Sequence, residues 1–259
     1  MALFQMALKM NWKRTVAFRT SFSLDVLSSL LYSAMTIAFW QVLYTRIHSV
    51  PKFNIGQMFL FLFFVELFFT LSMSVFIVSG KLWQSIHTAK LDTYLTRPGD
   101  PRILMLLMGM RAENFVRALP SLTLLLCLAL YQHASLTWIG FFCALLISVT
   151  ATITYALLQM AGSWVTFWVG RSQVIDELTD SLTELTQYPH TIFPKSAQLF
   201  LSIVLPFGLA GTQPALIATN QGYGLLVGMV FAVSGMLLWF VIQHILWKKG
   251  LKRYESSNG

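Results

Sequence analysis

Five long apolar runs constrain this chain more than any other feature of its sequence. A helix needs about 20 largely apolar residues to cross the hydrocarbon core of a bilayer. Only 11% of the 259 residues are charged, against about 25% in an ordinary soluble domain. We therefore predict an all-α, polytopic integral membrane protein that forms a single domain over residues 1–259. The apolar runs cover residues 24–44, 56–79, 114–131, 137–168 and 222–247.

The positions of the lysines and arginines indicate how the chain is oriented. Basic residues are concentrated before the first run, between the second and the third, and after the last. Cytoplasmic loops of membrane proteins carry this excess, so we predict that both termini and residues 80–113 face the cytoplasm. Two cytoplasmic ends require an even number of crossings. A sixth crossing must therefore lie between residues 170 and 220.

Two segments compete for the sixth crossing. Residues 199–217 are apolar but broken by prolines and glycines, which is typical of a re-entrant hairpin, because irregular backbone at membrane depth needs protein or water partners. Residues 172–189 have an apolar stripe and a stripe of acids. If this helix crosses, its acids must face a wet cavity or a partner. If it does not, it is a cytoplasmic amphipathic helix.

No catalytic constellation is found in the sequence. Gly80-Lys81 is followed by Leu82, so there is no Walker sequence for a nucleotide. The five histidines show no metal-ligand spacing, and both cysteines lie in apolar runs, as buried small residues do. The net charge of +8 comes from basic clusters beside the spans rather than from a nucleic-acid surface. We predict a transport or scaffold body with no catalytic residue, no metal and no nucleic-acid partner, whose energy source is elsewhere.

Two shorter segments next to the spans carry further signals. Residues 1–21 place Leu3, Met6 and Met10 on one helical face, which suits a helix on the inner membrane surface. Residues 80–101 form a short charged segment that ends in prolines and a glycine, which stop a helix. Such a segment, tied between two spans, is placed to receive force from a soluble partner. An ordinary loop between spans is the alternative.

Several sequence motifs resemble one family of transporters. KLDTYLTRPGDP at 90–101 is similar to the LD-x-x-L-x-RP-x-x-P signature of permease subunits of type-2 ATP-binding-cassette (ABC) exporters, in the six-span bacterial branch. The segment 188–215 resembles that family's YP-x-x-I-[YF]-P … PF … P-A region. FWQVLYTRI at 39–47 and the basic tail at 246–259 are similar to the end of its first span and to its C-terminus.

The resemblance implies an architecture and a function. It implies a coupling helix within 80–101 that is seated on an ATPase, 172–189 as the fifth crossing, and a re-entrant hairpin over 190–218 on the outer side. The transporter would contain two permeases, identical or paralogous, and two copies of an ABC ATPase subunit. ATP and Mg would bind to that ATPase, and this chain would need no cofactor. The complex would export an amphipathic cargo across the bacterial cytoplasmic membrane. An ATP-independent channel or a secondary transporter is the alternative.

Five residues are predicted to form the ATPase-coupling element. Leu91 and Leu95 are four residues apart, so they share a helical face that can pack into a groove on the ATPase. Asp92 and Arg97 either set the polarity of docking or cap the local structure, and Pro98 fixes the turn.

Four acids are predicted to line the translocation path, where they would attract a cationic or amphipathic cargo. Glu66 stands alone in the second apolar run, where an ionisable group is expensive. A hydrogen bond from a neighbouring span accounts for it equally well. For the other three acids the alternative is a structural role, in which they pair with Arg111, Arg117 or Arg171. They are Asp176, Asp180 and Glu184.

Overall fold

The computed structural model describes residues 19–46, 53–170, 173–221 and 224–254, and within these ranges it is built from helices. Five helical segments are long and apolar enough to cross a membrane. They confirm the prediction of an all-α, polytopic membrane protein. The first span is Arg19–Arg46, the second Ile55–Val75, the third Ala112–Tyr131, the fourth Trp138–Trp164 with its continuation Thr166–Val169, and the last Leu225–Leu251.

The second span occupies the centre of the bundle. It begins with a capping box: Asn54 Oδ1 accepts from the Gln57 backbone N–H at 2.8 Å, and Gln57 Oε1 accepts from the Asn54 N–H at 2.9 Å. Every side chain from Met58 to Val65 is buried. A helix that is apolar all round is typical of a buried core or of a membrane span. The third and fourth spans and residues 207–218 pack against this one.

The second and third spans are joined at their neighbouring ends. The Arg111 backbone N–H donates to the Ser74 carbonyl at 2.7 Å, and Asn114 Nδ2 donates to the Met73 carbonyl at 2.7 Å. These bonds satisfy carbonyls that the last turn of a helix leaves without partners. The chain between the two spans therefore leaves the bundle and returns to it at nearly the same point.

Residues 190–218 form two helical arms joined by a bend. The arms are Lys195–Ile203 and Thr212–Ala218, and the bend contains the short helix Phe207–Ala210. The second arm is buried along its whole length, against the second and fourth spans. Trp239 Nε1 donates to the Val204 carbonyl at 2.7 Å. Protein thus surrounds the irregular backbone, as membrane depth requires.

The acidic segment is a shorter helix than a crossing needs. It runs from Gln173 to Thr183, eleven residues, and continues as a 3-10 turn over Glu184–Gln187. At about 1.5 Å per residue the helix is about 16 Å long, roughly half the thickness of a hydrocarbon core. The six-span count and the fifth crossing over 172–189 therefore stay predictions. Residues 1–18 of the predicted interfacial helix lie outside the described residues.

We predict opposite tolerances for two glycines of the last span. A Cβ on Gly250 would lie 2.1 Å from Phe167 Cδ2, a ring atom, whereas one on Gly228 would lie 2.6 Å from Ile217 Cδ1, the end of a flexible side chain. Gly250→Ala should lower the free energy of unfolding by about 1–3 kcal/mol through overpacking, although alanine is the better helix former. Gly228→Ala should be close to neutral. Thermal unfolding in detergent measures both, and equal tolerance would contradict the Phe167 contact.

Candidate coupling site and candidate cargo cavity

The segment from 80 to 101, here the coupling segment, consists of two short helices and a turn. The helices are Leu82–His87 and Leu91–Leu95. The turn passes through Gly99 with φ of +120°, a conformation that glycine adopts without a steric penalty. The next helix, Pro101–Gly109, begins with proline at its first position, and the Asp100 side chain accepts from the Arg102 backbone N–H at 2.9 Å.

The start of the coupling segment packs against the fourth span. The Ser163 hydroxyl lies 3.0 Å from the Ser79 carbonyl oxygen and 2.9 Å from that of Gly80, and it can donate to either. The Ser79 hydroxyl also contacts the Gln159 side chain. A Cβ on Gly80 would lie 2.2 Å from Asp176 Oδ1, so the acidic helix approaches the same point closely. The start of the coupling segment is therefore fixed to two elements besides the span that precedes it.

An apolar cluster holds the rest of the coupling segment against the ends of the fourth and last spans. We call it the aromatic node. Leu82 and Leu91 of the coupling segment are 0% exposed within it. The Trp164 and Trp247 rings have centroids 4.5 Å apart, and the Phe167 ring lies 6.1 Å from that of Trp247. The node thus joins three parts of the chain that are distant in sequence.

Tyr254 extends the aromatic node beyond the last span. Its ring centroid lies 6.1 Å from that of Phe167. Burial, followed by the neighbouring Asp92 carboxylate, raises the pKa of Tyr254 to about 12. Asp92 therefore lies close to Tyr254, and its side chain is half-buried.

Arg102 makes a polar connection beside the aromatic node. Its Nη2 lies 2.6 Å from Asp100 Oδ2, and its guanidinium carbon lies 5.7 Å from the centroid of the Trp247 ring. Its Nη1 donates to Gln243 Oε1 at 3.4 Å, and that oxygen also accepts from Trp164 Nε1 at 3.4 Å. The hydrogen bond from Arg102 holds the pKa of Asp100 below its usual range. Arg102 was not predicted as a site residue from the sequence. The pattern that could have indicated it is its position two residues after Asp100, which caps the helix.

The structure divides the five predicted coupling residues into two groups. Leu91 is 0% exposed and packs into the aromatic node of this chain. Its place in an ATPase-coupling element stays a prediction. Leu95 is 38% exposed, and Arg97 and Pro98 are exposed as well. A spacing of four residues places two side chains on one side of a helix, but it does not determine what that side packs against.

Of the three predicted path acids in residues 173–187, Asp180 contacts the fourth span and Asp176 lies beside the start of the coupling segment. Asp180 Oδ1 lies 3.3 Å from the Tyr155 hydroxyl and 3.5 Å from Gln159 Nε2, which itself donates to the Tyr155 oxygen at 2.8 Å. Asp176 is half-buried beside Gly80, and Glu184 is exposed. Among the described residues, none of these acids forms an ion pair with an arginine. Arg171 lies outside the described residues. Tyr155 and Gln159 could not be identified from sequence patterns, because both are single polar positions in an apolar run.

Glu66 lies apart from those acids, on the wall of a cavity of about 390 Å³ between the first, second and third spans. The Ser121 hydroxyl lies 3.0 Å from Glu66 Oε1 and 2.9 Å from the Ala118 carbonyl oxygen, and it can donate to either. A second cavity of about 430 Å³ shares Glu66 and reaches Asp25 and Arg117. Neither cavity is lined by Asp176, Asp180 or Glu184, so the four predicted path residues do not form one site. Gln187, which sequence reasoning missed, lines both cavities.

In the part of the chain that the structure describes, no three His, Cys, Asp or Glu side chains are grouped as metal ligands.

Comparisons with known proteins agree with this architecture. A family model described as "ABC-2 family transporter protein" matches residues 30–258, most of the chain. Searches of curated proteins and of solved structures find no match. Members of this family are membrane subunits of ABC transporters, which work with an ABC ATPase subunit and are not themselves the ATPase. The chain therefore belongs to the ABC-2 transporter family, as the resemblance of its motifs had indicated.

Proposed function

We propose that this chain is the permease of an ATP-driven exporter, which moves an amphipathic cargo out across the bacterial cytoplasmic membrane. A separate ABC ATPase drives it by docking on the coupling segment. One observation supports this most strongly: the coupling segment is buried on one side against the fourth and last spans, and its tip is exposed. Force applied to the exposed tip can therefore be transmitted to the spans against which the segment packs.

The tip of the coupling segment is the proposed ATPase contact. Leu95, Arg97 and Pro98 are exposed there. An apolar side chain next to a charged one suits an interface in which the leucine is buried and the charge steers the approach. Leu91 and Asp92 have a different role in this proposal, because they hold the segment to the body of the permease.

The aromatic node is the proposed route of force. Packed protein interiors have low compressibility, so a displacement at one side of such a cluster is transmitted to the other. The node packs side chains of the coupling segment against side chains of the fourth and last spans, and the coupling segment is covalently continuous with the second and third spans. A movement of the tip therefore reaches four spans. The ATPase does work on them only if it binds two arrangements of the permease with different affinity.

The distribution of basic residues supports the orientation in this proposal. The coupling segment carries Lys81, Lys90 and Arg97, and it packs beside the end of the last span, which carries Lys248 and Lys249. Two basic clusters therefore lie at the same end of the molecule, as the excess of positive charge on cytoplasmic sides requires. Both termini are cytoplasmic in this arrangement. Two permeases and two ATPases form the transporter, and the ATPases bind ATP and Mg.

The translocation path in this proposal passes Glu66. The bonds that Asp180 accepts from Tyr155 and Gln159 favour a structural role for it, in which it joins the acidic helix to the fourth span. Asp176 has a similar place next to the start of the coupling segment. The exposed Glu184 stays a candidate for the outer part of the path.

Charge reversal at the tip tests the docking proposal. Arg97→Glu should weaken binding of the ATPase by about tenfold or more, because it replaces a favourable interface charge with a repulsive one. Lys195→Glu is the matched control, since Lys195 is also an exposed basic residue but lies in the hairpin. Co-purification of the ATPase with each variant is the measurement. Equal retention of the ATPase by both variants would count against docking at the tip.

Substitution behind the tip tests the route of force. Arg102→Gln removes the ion pair with Asp100 and the contact with the Trp247 ring, and leaves the tip unchanged. We expect the ATPase to co-purify in normal amount but to lose most of its stimulation by the permease. Arg102→Lys, which keeps the charge, should retain more of this stimulation. If Arg102→Gln stimulates ATP turnover as the unaltered chain does, force does not pass through this connection.

A further inference from the structure

We infer that the cavity beside Glu66 binds a lipophilic organic cation, and that the Glu66 carboxylate holds its positive charge. This inference names the cargo class for the function proposed above and rests on that function. It assigns recognition of the cargo's charge to Glu66 and the cavity wall around it, and not to Asp176, Asp180 or Glu184.

The cavity has the size and the lining of a small-molecule site. Its volume of about 390 Å³ is within the range of about 300–1,000 Å³ that is usual for drug-sized ligands. Among its lining residues Glu66 is the single charged one. The others are mostly apolar or aromatic, so the ligand must be largely apolar and carry its charge at one place.

Aromatic rings form much of the cavity wall. They come from the first span, the second span and the turn that follows the acidic helix, so they line the cavity from several directions. The negative face of an aromatic ring attracts a cation within about 6 Å, and more strongly when water is excluded. An organic cation therefore gains from the rings as well as from the carboxylate, whereas an anion would be repelled by both. The five aromatic residues are Tyr32, Phe39, Trp40, Phe69 and Tyr188.

The Glu66 carboxylate keeps capacity for a ligand. Among the described residues, Ser121 is its one hydrogen-bond donor, and this bond is made to Oε1. Arg117 lines the adjoining cavity but forms no ion pair with Glu66. A carboxylate at membrane depth is expensive unless a partner compensates it, and such groups mark ligand pathways. The contrast is with Asp180, which already accepts from Tyr155 and Gln159.

The charges of the two adjoining cavities also favour a cation. Asp25 and Glu66 provide two carboxylates there, and Arg117 provides one guanidinium. With these groups ionised the combined space has one net negative charge, which a monovalent cation neutralises. The two cavities share Tyr32 and Phe69 as well as Glu66, so the carboxylate borders both of them.

Binding to the purified permease in lipid nanodiscs, without any ATPase, tests the inference. The probe is ethidium, a fluorescent lipophilic cation, followed by anisotropy. Tetraphenylphosphonium should displace it, and the neutral triphenylphosphine oxide should not. Glu66→Gln keeps the shape of the side chain and an acceptor for Ser121, so it should fold normally and weaken ethidium binding by about tenfold or more, through loss of the charge. Asp176→Asn, which neutralises a carboxylate outside the cavity, should leave the affinity unchanged.

Three outcomes would overturn the inference. The first is equal affinity of the unaltered chain and Glu66→Gln for ethidium, and the second is displacement by the neutral compound as effective as by the cation. The third is absence of binding by permease with a normal thermal unfolding midpoint, which is expected if lipid or a second copy of the chain fills the cavity. Because no ATPase takes part, these results are independent of whether the coupling segment docks one.

Discussion

The packing of the coupling segment against the ends of the fourth and last spans is the interaction on which the rest of this account depends. Leu91 is wholly buried there among the Trp164, Phe167 and Trp247 rings. A segment held only by its two covalent ends could bend under load without moving the spans. Burial of its apolar side makes the segment and the ends of these spans one packed unit. In the proposed function, its exposed tip is the surface that the ATPase contacts.

The bilayer explains where the polar side chains of the bundle lie. Hydrocarbon offers no hydrogen-bond partner, so a polar group at membrane depth must find one within the protein. Ser163 of the fourth span can donate to the carbonyls at the start of the coupling segment, and Tyr155 and Gln159 of the same span meet the exposed Asp180. Glu66 differs because, besides its bond from Ser121, it faces a cavity. Structural polar groups are thus distinguished from a candidate ligand site by what surrounds them.

Much of the fold was predictable from local patterns, and much of the site was not. Five spans followed from five apolar runs, because hydropathy over about 20 residues is decided by the sequence itself. The family followed from the order of the motifs. The burial of Leu91 did not follow, since it depends on a cluster whose members include Trp247, more than 150 residues away. For the same reason the separation of Glu66 from Asp180, and the roles of Gln159 and Arg102, required the tertiary structure.

The most direct test of the central claim is a pair of spin-label distances in the complex of the permease with its ATPase. Cys127 and Cys143 are replaced, and labels are placed at Thr93 and Lys248 for one distance and at Thr93 and Tyr131 for the other. All three labelled positions are exposed. On addition of ATP, the distance from 93 to 248 should stay within the distribution measured without nucleotide, while that from 93 to 131 shifts. A change between 93 and 248 as large as that between 93 and 131 would contradict the claim that the coupling segment and the last span move together.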